Sequence, residues 1–203
     1  MKQNKKLYKL VSFILKPIIK LLYPCEVRGL EKLNNLKGGY ILCANHLSNI
    51  DPIFFILFHP TPICFMAKQE LFKNKILGWF LSSLGAFSVK RGKGDRSALD
   101  NAKQVLENED ILGIFIEGTR SKTGEFLRPK SGAALLAYET KSNVVTACIT
   151  GTSEDNKVRL FKKTILEYNF PIDYRDLGIN EGNRLELKAA TNLIMDKIKE
   201  LRG

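Results

Sequence analysis

From about residue 40 onward the chain alternates between short apolar runs and longer stretches in which apolar residues recur every three or four positions. Residues 40–44, 63–67, 86–89, 111–116 and 144–149 are the apolar runs, and they read as short buried strands. Between them the spacing predicts a helix after Asp51-Pro52 carrying Ile53, Phe54, Ile56 and Leu57. Further helices are predicted over 71–84, from Asp95 or Ser97 to about 107, over 132–138 and over 183–201. Strands alternating with helices argue for an α/β fold: one domain with a largely parallel sheet flanked by helices. In such sheets ligands bind beyond the carboxyl ends of the strands, so the polar residues that follow each apolar run are the ones to inspect.

Upstream of this pattern lies a different one. Leu7, Leu10, Val11, Ile14, Leu15, Ile18, Leu21 and Leu22 repeat with helical spacing, while Lys9, Ser12, Lys16 and Lys20 fall largely on the other side. Pro17 is expected to kink this helix or divide it in two. The lysines and Pro17 interrupt the apolar stretch too often for a membrane span or a signal peptide. Two readings fit: a helix lying in the membrane interface with its lysines on anionic head groups, or a terminal helix packed on the protein's own core. The combination of strong basicity and strong apolarity favours the first. We divide the chain into an amphipathic arm, residues 1–24, and one domain, residues 25–203.

Charge sharpens the point. The net charge is +11, and six lysines precede the first acidic residue, Glu26. Such a block suits a polyanion, either an anionic lipid surface or nucleic acid. Nucleic acid is the poorer partner, because no recognised module appears and aromatic residues are not interleaved with the basic ones. Cys25, Cys43, Cys64 and Cys148 form no C-x-x-C pair and each adjoins apolar residues, so they read as small buried hydrophobes in a reducing compartment. No cluster of His and Cys has metal-ligand spacing, so no metal is expected.

The chemistry concentrates in three blocks. The first, Asn45-His46-Leu47-Ser48-Asn49-Ile50-Asp51-Pro52, follows the first strand and holds one of only two histidines. A neutral imidazole is the best general base near pH 7, and a carboxylate beside it fixes its tautomer and stabilises the imidazolium. On one continuous helix positions i and i+5 point about 140° apart, so the pair meets better with His46 in a loop and a helix starting at Asp51. Asp51 also reads as a simple N-cap with Pro52 at the first helical position. The second block, Val89-Lys90-Arg91-Gly92, and the third, Glu117-Gly118-Thr119-Arg120-Ser121, leave two further strands. Arginine suits phosphate through paired hydrogen bonds, Gly118 admits a ligand close to the backbone, and Thr119 adds a hydroxyl. Taken singly, Arg91 and Arg120 read as surface charges, Gly118 as a turn, and Glu117 as an ion-pair partner. Together they converge on one edge of the predicted sheet.

These blocks resemble those of the glycerolipid acyltransferases of the 1-acyl-glycerol-3-phosphate acyltransferase type. N-H-L-S-N-I-D-P matches the family's N-H-x-S-x-x-D-P; residues 85–92, G-A-F-S-V-K-R-G, resemble its second block; residues 115–121, F-I-E-G-T-R-S, match the third; and Lys130-Ser131-Gly132-Ala133 resembles the K-x-G-A that follows. The match runs in the family's order over roughly half the chain. It departs at Ile116, where the family commonly has proline, and at Asn143 and Thr146 in the fourth block.

The resemblance implies transfer of an acyl group from a thioester, acyl-CoA or acyl carrier protein, to a lysophospholipid hydroxyl, with no other cofactor. It implies His46 and Asp51 as the catalytic pair, and Arg91, Glu117, Gly118, Thr119 and Arg120 as binding residues. The expected product is phosphatidic acid, and the expected place is the cytoplasmic face of the cell membrane, held peripherally on an anionic surface. The same chemistry on glycerol 3-phosphate or another lysolipid, or a non-catalytic anionic-lipid-binding module, are the alternatives.

Overall fold

The structure, a computed structural model, describes residues 5–89, 96–154, 157–158 and 160–202. The alternation seen in the sequence is realised as β2 (Ile41–Ala44), α2 (Asp51–Phe58), β3 (Ile63–Lys68), α3 (Lys75–Ser83), β4 (Phe87–Val89), α4 (Arg96–Glu107), β5 (Ile111–Phe115), α5 (Gly132–Thr140) and β6 (Val144–Thr150). Before it stand α1 (Lys5–Leu22) and β1 (Cys25–Arg28); after it come a short hairpin of β7 (Ser153–Glu154) and β8 (Lys157–Val158), then β9 (Thr164–Tyr168) and α6 (Arg184–Glu200). Seven strands form one sheet in the order β1-β9-β6-β2-β5-β3-β4. Every pairing in it is parallel except β6 with β9. The predicted α/β class with a largely parallel sheet is the one observed.

The central strands are continuous apolar runs because helices cover both faces. All four residues of β2 are buried, and six of the seven in β6. On one face Ala102 of α4, Leu136 of α5 and Ile194 of α6 pack together with Cys43 and Leu112 of the sheet. On the other, Phe54 and Phe55 of α2 pack with Leu42, Phe65 and Tyr168. Cys43, Cys64 and Cys148 are buried and Cys25 is half-buried, all with free thiols. Burial pushes the thiols of Cys25, Cys64 and Cys148 up to about 12.

The predicted helix over 71–84 is split: a 3-10 turn, Gln69–Phe72, precedes α3, whose N-cap Asn74 accepts hydrogen bonds from the N–H groups of Ile76 and Leu77. The α1 helix runs through Pro17 without dividing. Pro17 and Phe13 are both exposed, so water can satisfy the Phe13 carbonyl that Pro17 leaves without a donor. The helix lies against the domain. Tyr8 is buried, its hydroxyl donates to the Ile56 carbonyl of α2, and Leu15, Ile19 and Leu22 pack on the core. The opposite side leaves Leu10, Phe13, Ile14 and Leu21 exposed beside the lysines.

Parallel strands put the carboxyl ends of β2, β3, β4, β5 and β6 on one edge, where all three polar blocks begin. Gly113 in β5 is needed for this packing, since a Cβ there would fall 2.3 Å from the Phe65 ring. Phe65 is buried and stacked on Phe115, so it has little room to yield. Gly113→Ala is expected to cost about 1–3 kcal/mol through overpacking, read as a lowered urea midpoint at unchanged m-value.

Candidate active site

The β2 strand ends at Ala44, and the next residue ties the site to the sheet. Asn45 is 1% exposed; its side-chain amide donates to the Ile149 carbonyl at 2.9 Å and accepts from the Ile149 N–H at 2.8 Å. Its amide group thus imitates one more backbone rung between β2 and β6. This residue escaped the sequence reading as a functional element, since only the three-dimensional pairing with β6 shows what its amide binds.

His46 follows in the loop. Its Nδ1 lies 2.8 Å from Asp51 Oδ2, and the same oxygen accepts the backbone N–H groups of Leu47 and Ser48, each at 2.7 Å. Asp51 opens α2, but its N-cap is Ile50 and none of these bonds goes to the helix's own N–H groups. The expected helix cap is therefore instead the centre of the preceding loop. The reason is geometric. The chain turns tightly here, with the Asp51 N–H bonded to the Ser48 carbonyl, so the upstream amides reach the carboxylate first. Asp51 is fully buried and its Oδ1 has no partner among the described residues.

With Nδ1–H donating to Asp51, the imidazole presents Nε2 as its proton acceptor. The residue is 7% exposed, and its ring stacks on Phe115, centroids 4.0 Å apart and planes 13° from parallel. Its backbone carbonyl accepts the Ser121 N–H at 2.8 Å. The first and third blocks are thus bound to each other directly. The other histidine, His59, is structural: Nε2 meets the Tyr40 hydroxyl and Nδ1 the Thr61 carbonyl, and burial lowers its pKa.

After β5 the chain enters the third block through Ile116, which is in the core rather than at the site. Gly118 has φ 68°, a left-handed turn that suits glycine and brings its N–H to the Phe115 carbonyl. The turn leaves Gly118, Thr119 and Arg120 exposed, free to meet a ligand. Glu117 points the other way. It is 1% exposed, and neither carboxylate oxygen has a well-formed hydrogen bond among the described residues. Burial, more than anything else, lifts its pKa to about 7; the nearby Leu127 and His46 backbone N–H groups offset this in part. Among the described residues no ion pair with a neighbouring arginine forms, because the side chain turns under the loop. Arg91, two residues beyond β4, lies outside the described residues. At the fourth block, Thr146 is fully buried in β6 and Asn143 accepts the Tyr174 N–H.

A fully buried carboxylate, an imidazole held in one tautomer and an exposed Gly-Thr-Arg turn make a site able to deprotonate a hydroxyl beside a bound anion. Among the described residues, no three His, Cys, Asp or Glu side chains converge as a metal site would require. A family model described as Acyltransferase matches residues 24–150. A 1-acyl-sn-glycerol-3-phosphate acyltransferase of Bacillus subtilis is 31% identical over 198 residues, covering 97% of this chain and 98% of the relative. A protein of the same name from Streptococcus pneumoniae is 30% identical over 173 residues, 84% of this chain and 63% of the relative. The fold is similar to the crystal structure of the 1-acyl-sn-glycerophosphate acyltransferase PlsC from Thermotoga maritima, with TM-score 0.72 and 25% identity, covering all of this chain and 85% of that one.

The burial of Glu117 carries a pH signature. Its pKa rises from the ordinary 4.5 to about 7 in the folded state, so the folded protein binds the extra proton between those values. Stability is therefore highest below pH 4.5 as far as this group is concerned, and falls as pH rises to about 7. Glu117→Gln is expected to flatten that decline, so that the variant becomes the more stable of the two at pH 7.5. Urea titrations of both proteins at several pH values measure it.

Proposed function

The chain belongs to the acyltransferase family, and from that premise we propose that it is a 1-acyl-sn-glycerol-3-phosphate O-acyltransferase. It moves a fatty acyl group from an acyl thioester to the free sn-2 hydroxyl of the lysophosphatidate, giving phosphatidic acid and a free thiol. The observation that supports this best is the His46–Asp51 hydrogen bond, set at the carboxyl edge of the sheet and bound through the His46 carbonyl to the Gly-Thr-Arg turn.

In this reading His46 Nε2 takes the proton of the acceptor hydroxyl as its oxygen attacks the thioester carbonyl. The C–S bond then breaks, and the departing sulfur takes the proton back from the imidazolium. Asp51 stays ionised throughout. Its Oδ2 holds the ring in place and faces the imidazolium that forms. Arg120, together with Arg91, would hold the acceptor's phosphate through charge-assisted pairs. The Gly118 turn and the Thr119 hydroxyl would complete that cradle. Glu117, buried under the turn, would help shape the loop that meets the glycerol portion. Fixing both substrates makes the attack effectively unimolecular, which can supply several kcal/mol of the barrier.

The setting fits a lipid acceptor. No helix among the described residues is long and apolar enough to cross a membrane. The exposed apolar stripe of α1, flanked by Lys6, Lys9, Lys16 and Lys20, suits an interfacial helix on an anionic bilayer. The free thiols and the acidic donors, acyl-CoA or acyl carrier protein, fit the cytoplasmic face of the cell membrane.

The test is thiol release from acyl-CoA, and separately from acyl carrier protein, with 1-acyl-glycerol-3-phosphate in mixed micelles. Wild type should release thiol only when the acceptor is present, and His46→Ala should lower kcat by about 10²–10⁴ while keeping its melting temperature. No acceptor-dependent release with either donor would overturn the reading.

A further inference from the structure

The α3 helix is an anomaly in this fold. Helices in an α/β domain bury an apolar stripe against the sheet, yet α3 buries only Gly78. Its main neighbour is the preceding 3-10 turn, where Gly78 sits against the Phe72 backbone. Phe80 and Leu81 are half-buried, while Ile76 is 81% exposed, Trp79 64%, and Leu77 and the adjoining Leu71 are exposed as well.

Its position is informative. The β4 strand pairs only with the last residues of β3, Met66 with Phe87 through Lys68 with Val89. The chain therefore leaves β3 at its carboxyl end, forms α3, and returns to nearly the same place. That puts α3 on the carboxyl edge of the sheet, the edge that carries His46.

A matching patch stands at the other end of that edge. The β9 strand begins opposite the carboxyl end of β6, where Thr150 pairs with Ile165. Just before it Phe161 is 68% exposed, and its N–H bonds the Leu22 carbonyl at the end of α1, next to the exposed Leu21. Ile53, two residues after Asp51, is exposed between the two patches. Away from α1 and this edge, Phe170 and Leu185 are the other large exposed apolar residues among those described, and Lys32 lies over the Phe170 ring.

Apolar side chains at both ends of one edge suit a broad flat apolar phase better than a single compact partner. Exposed lysines Lys73 and Lys75 lead into α3, and the chain carries +11 overall. Basic residues beside exposed aliphatic side chains and a tryptophan are the composition of an interfacial membrane contact. We propose that α3 is a second membrane-contacting element, placing Ile76 and Trp79 in the interface of an anionic bilayer beside the mouth of the His46 site. It shares a lipid setting with the acyl-transfer reading, but its test reads no turnover, so the two can fail separately.

Trp79 is the only tryptophan in the chain, so intrinsic fluorescence reports on α3 without a label. The full chain is mixed with vesicles of phosphatidylglycerol and phosphatidylcholine, with and without bromine on the acyl chains. Expected are a blue shift of several nanometres and quenching by the brominated lipid. Ile76→Glu, at an exposed position, should weaken vesicle binding several-fold without lowering the melting temperature. Emission unchanged on vesicles that sediment the protein would overturn the proposal, since α1 alone would then hold it. So would a blue shift that grows with protein concentration in the absence of vesicles, which would mean a second copy covers the patch. A shift produced only by acyl carrier protein would overturn it equally.

Discussion

One carboxylate oxygen organises the loop on which the chemistry depends. Asp51 Oδ2 accepts from the His46 ring and from the backbone N–H groups of Leu47 and Ser48. Hydrogen bonds to a charged acceptor are worth about 1.5–3 kcal/mol each, and a buried donor left without a partner carries a comparable penalty. The same contact that shapes the loop also selects the imidazole tautomer. Position and protonation are therefore set together, and a substitution that loosens one disturbs the other.

The rest of the architecture holds that loop from three directions. Asn45 fastens its start to β6, the Phe115 ring supports one face of the imidazole, and the Ser121 N–H fixes the His46 carbonyl. These supports come from the carboxyl ends of β5 and β6, the two strands that flank β2, which requires all three to run the same way. Gly113 belongs to this arrangement too, because it leaves room for Phe65, on which Phe115 rests. Against this rigid base, the Gly-Thr-Arg turn is exposed and Glu117 is buried with only partial compensation from the Leu127 and His46 backbone N–H groups. A buried, only partly compensated carboxyl is costly, and groups so perturbed are common at functional sites.

The sequence was most legible where a strand is buried on both faces, because a continuous apolar run has little other meaning. Residues 40–44, 63–67, 111–116 and 144–149 all fall on observed strands to within about one residue. It was least legible at β1 and β9. Glu26, Arg28 and Glu167 interrupt their apolar character; Arg28 pairs with Glu26 along β1 and reaches across to Glu167 of β9. Such an edge is stabilised by partners that only folding brings together. The three blocks were visible as motifs, and the loop-then-helix geometry around His46 followed from counting turns. What the sequence could not convey was the direction of each side chain. Asp51, read either as a helix cap or as the partner of His46, faces His46 and the loop amides, and Glu117, read as a binding residue or an ion-pair partner of a nearby arginine, lies under its own turn. The packing of α1 illustrates the same limit, since one helix uses one side for the core and leaves another apolar side exposed.

The central claim is that the buried charge of Asp51 acts through His46 in the chemical step. Asn at position 51 keeps the size and an acceptor oxygen for the loop amides while removing the charge. Single-turnover acyl transfer by Asp51→Asn, at saturating lysophosphatidate and donor, tests this most directly. The expected result is a rate lowered by about 10²–10⁴, with the melting temperature within a few degrees of wild type and acceptor affinity within a few-fold. A rate within twofold of wild type would show that the carboxylate only folds the loop, and would contradict the assignment of the pair.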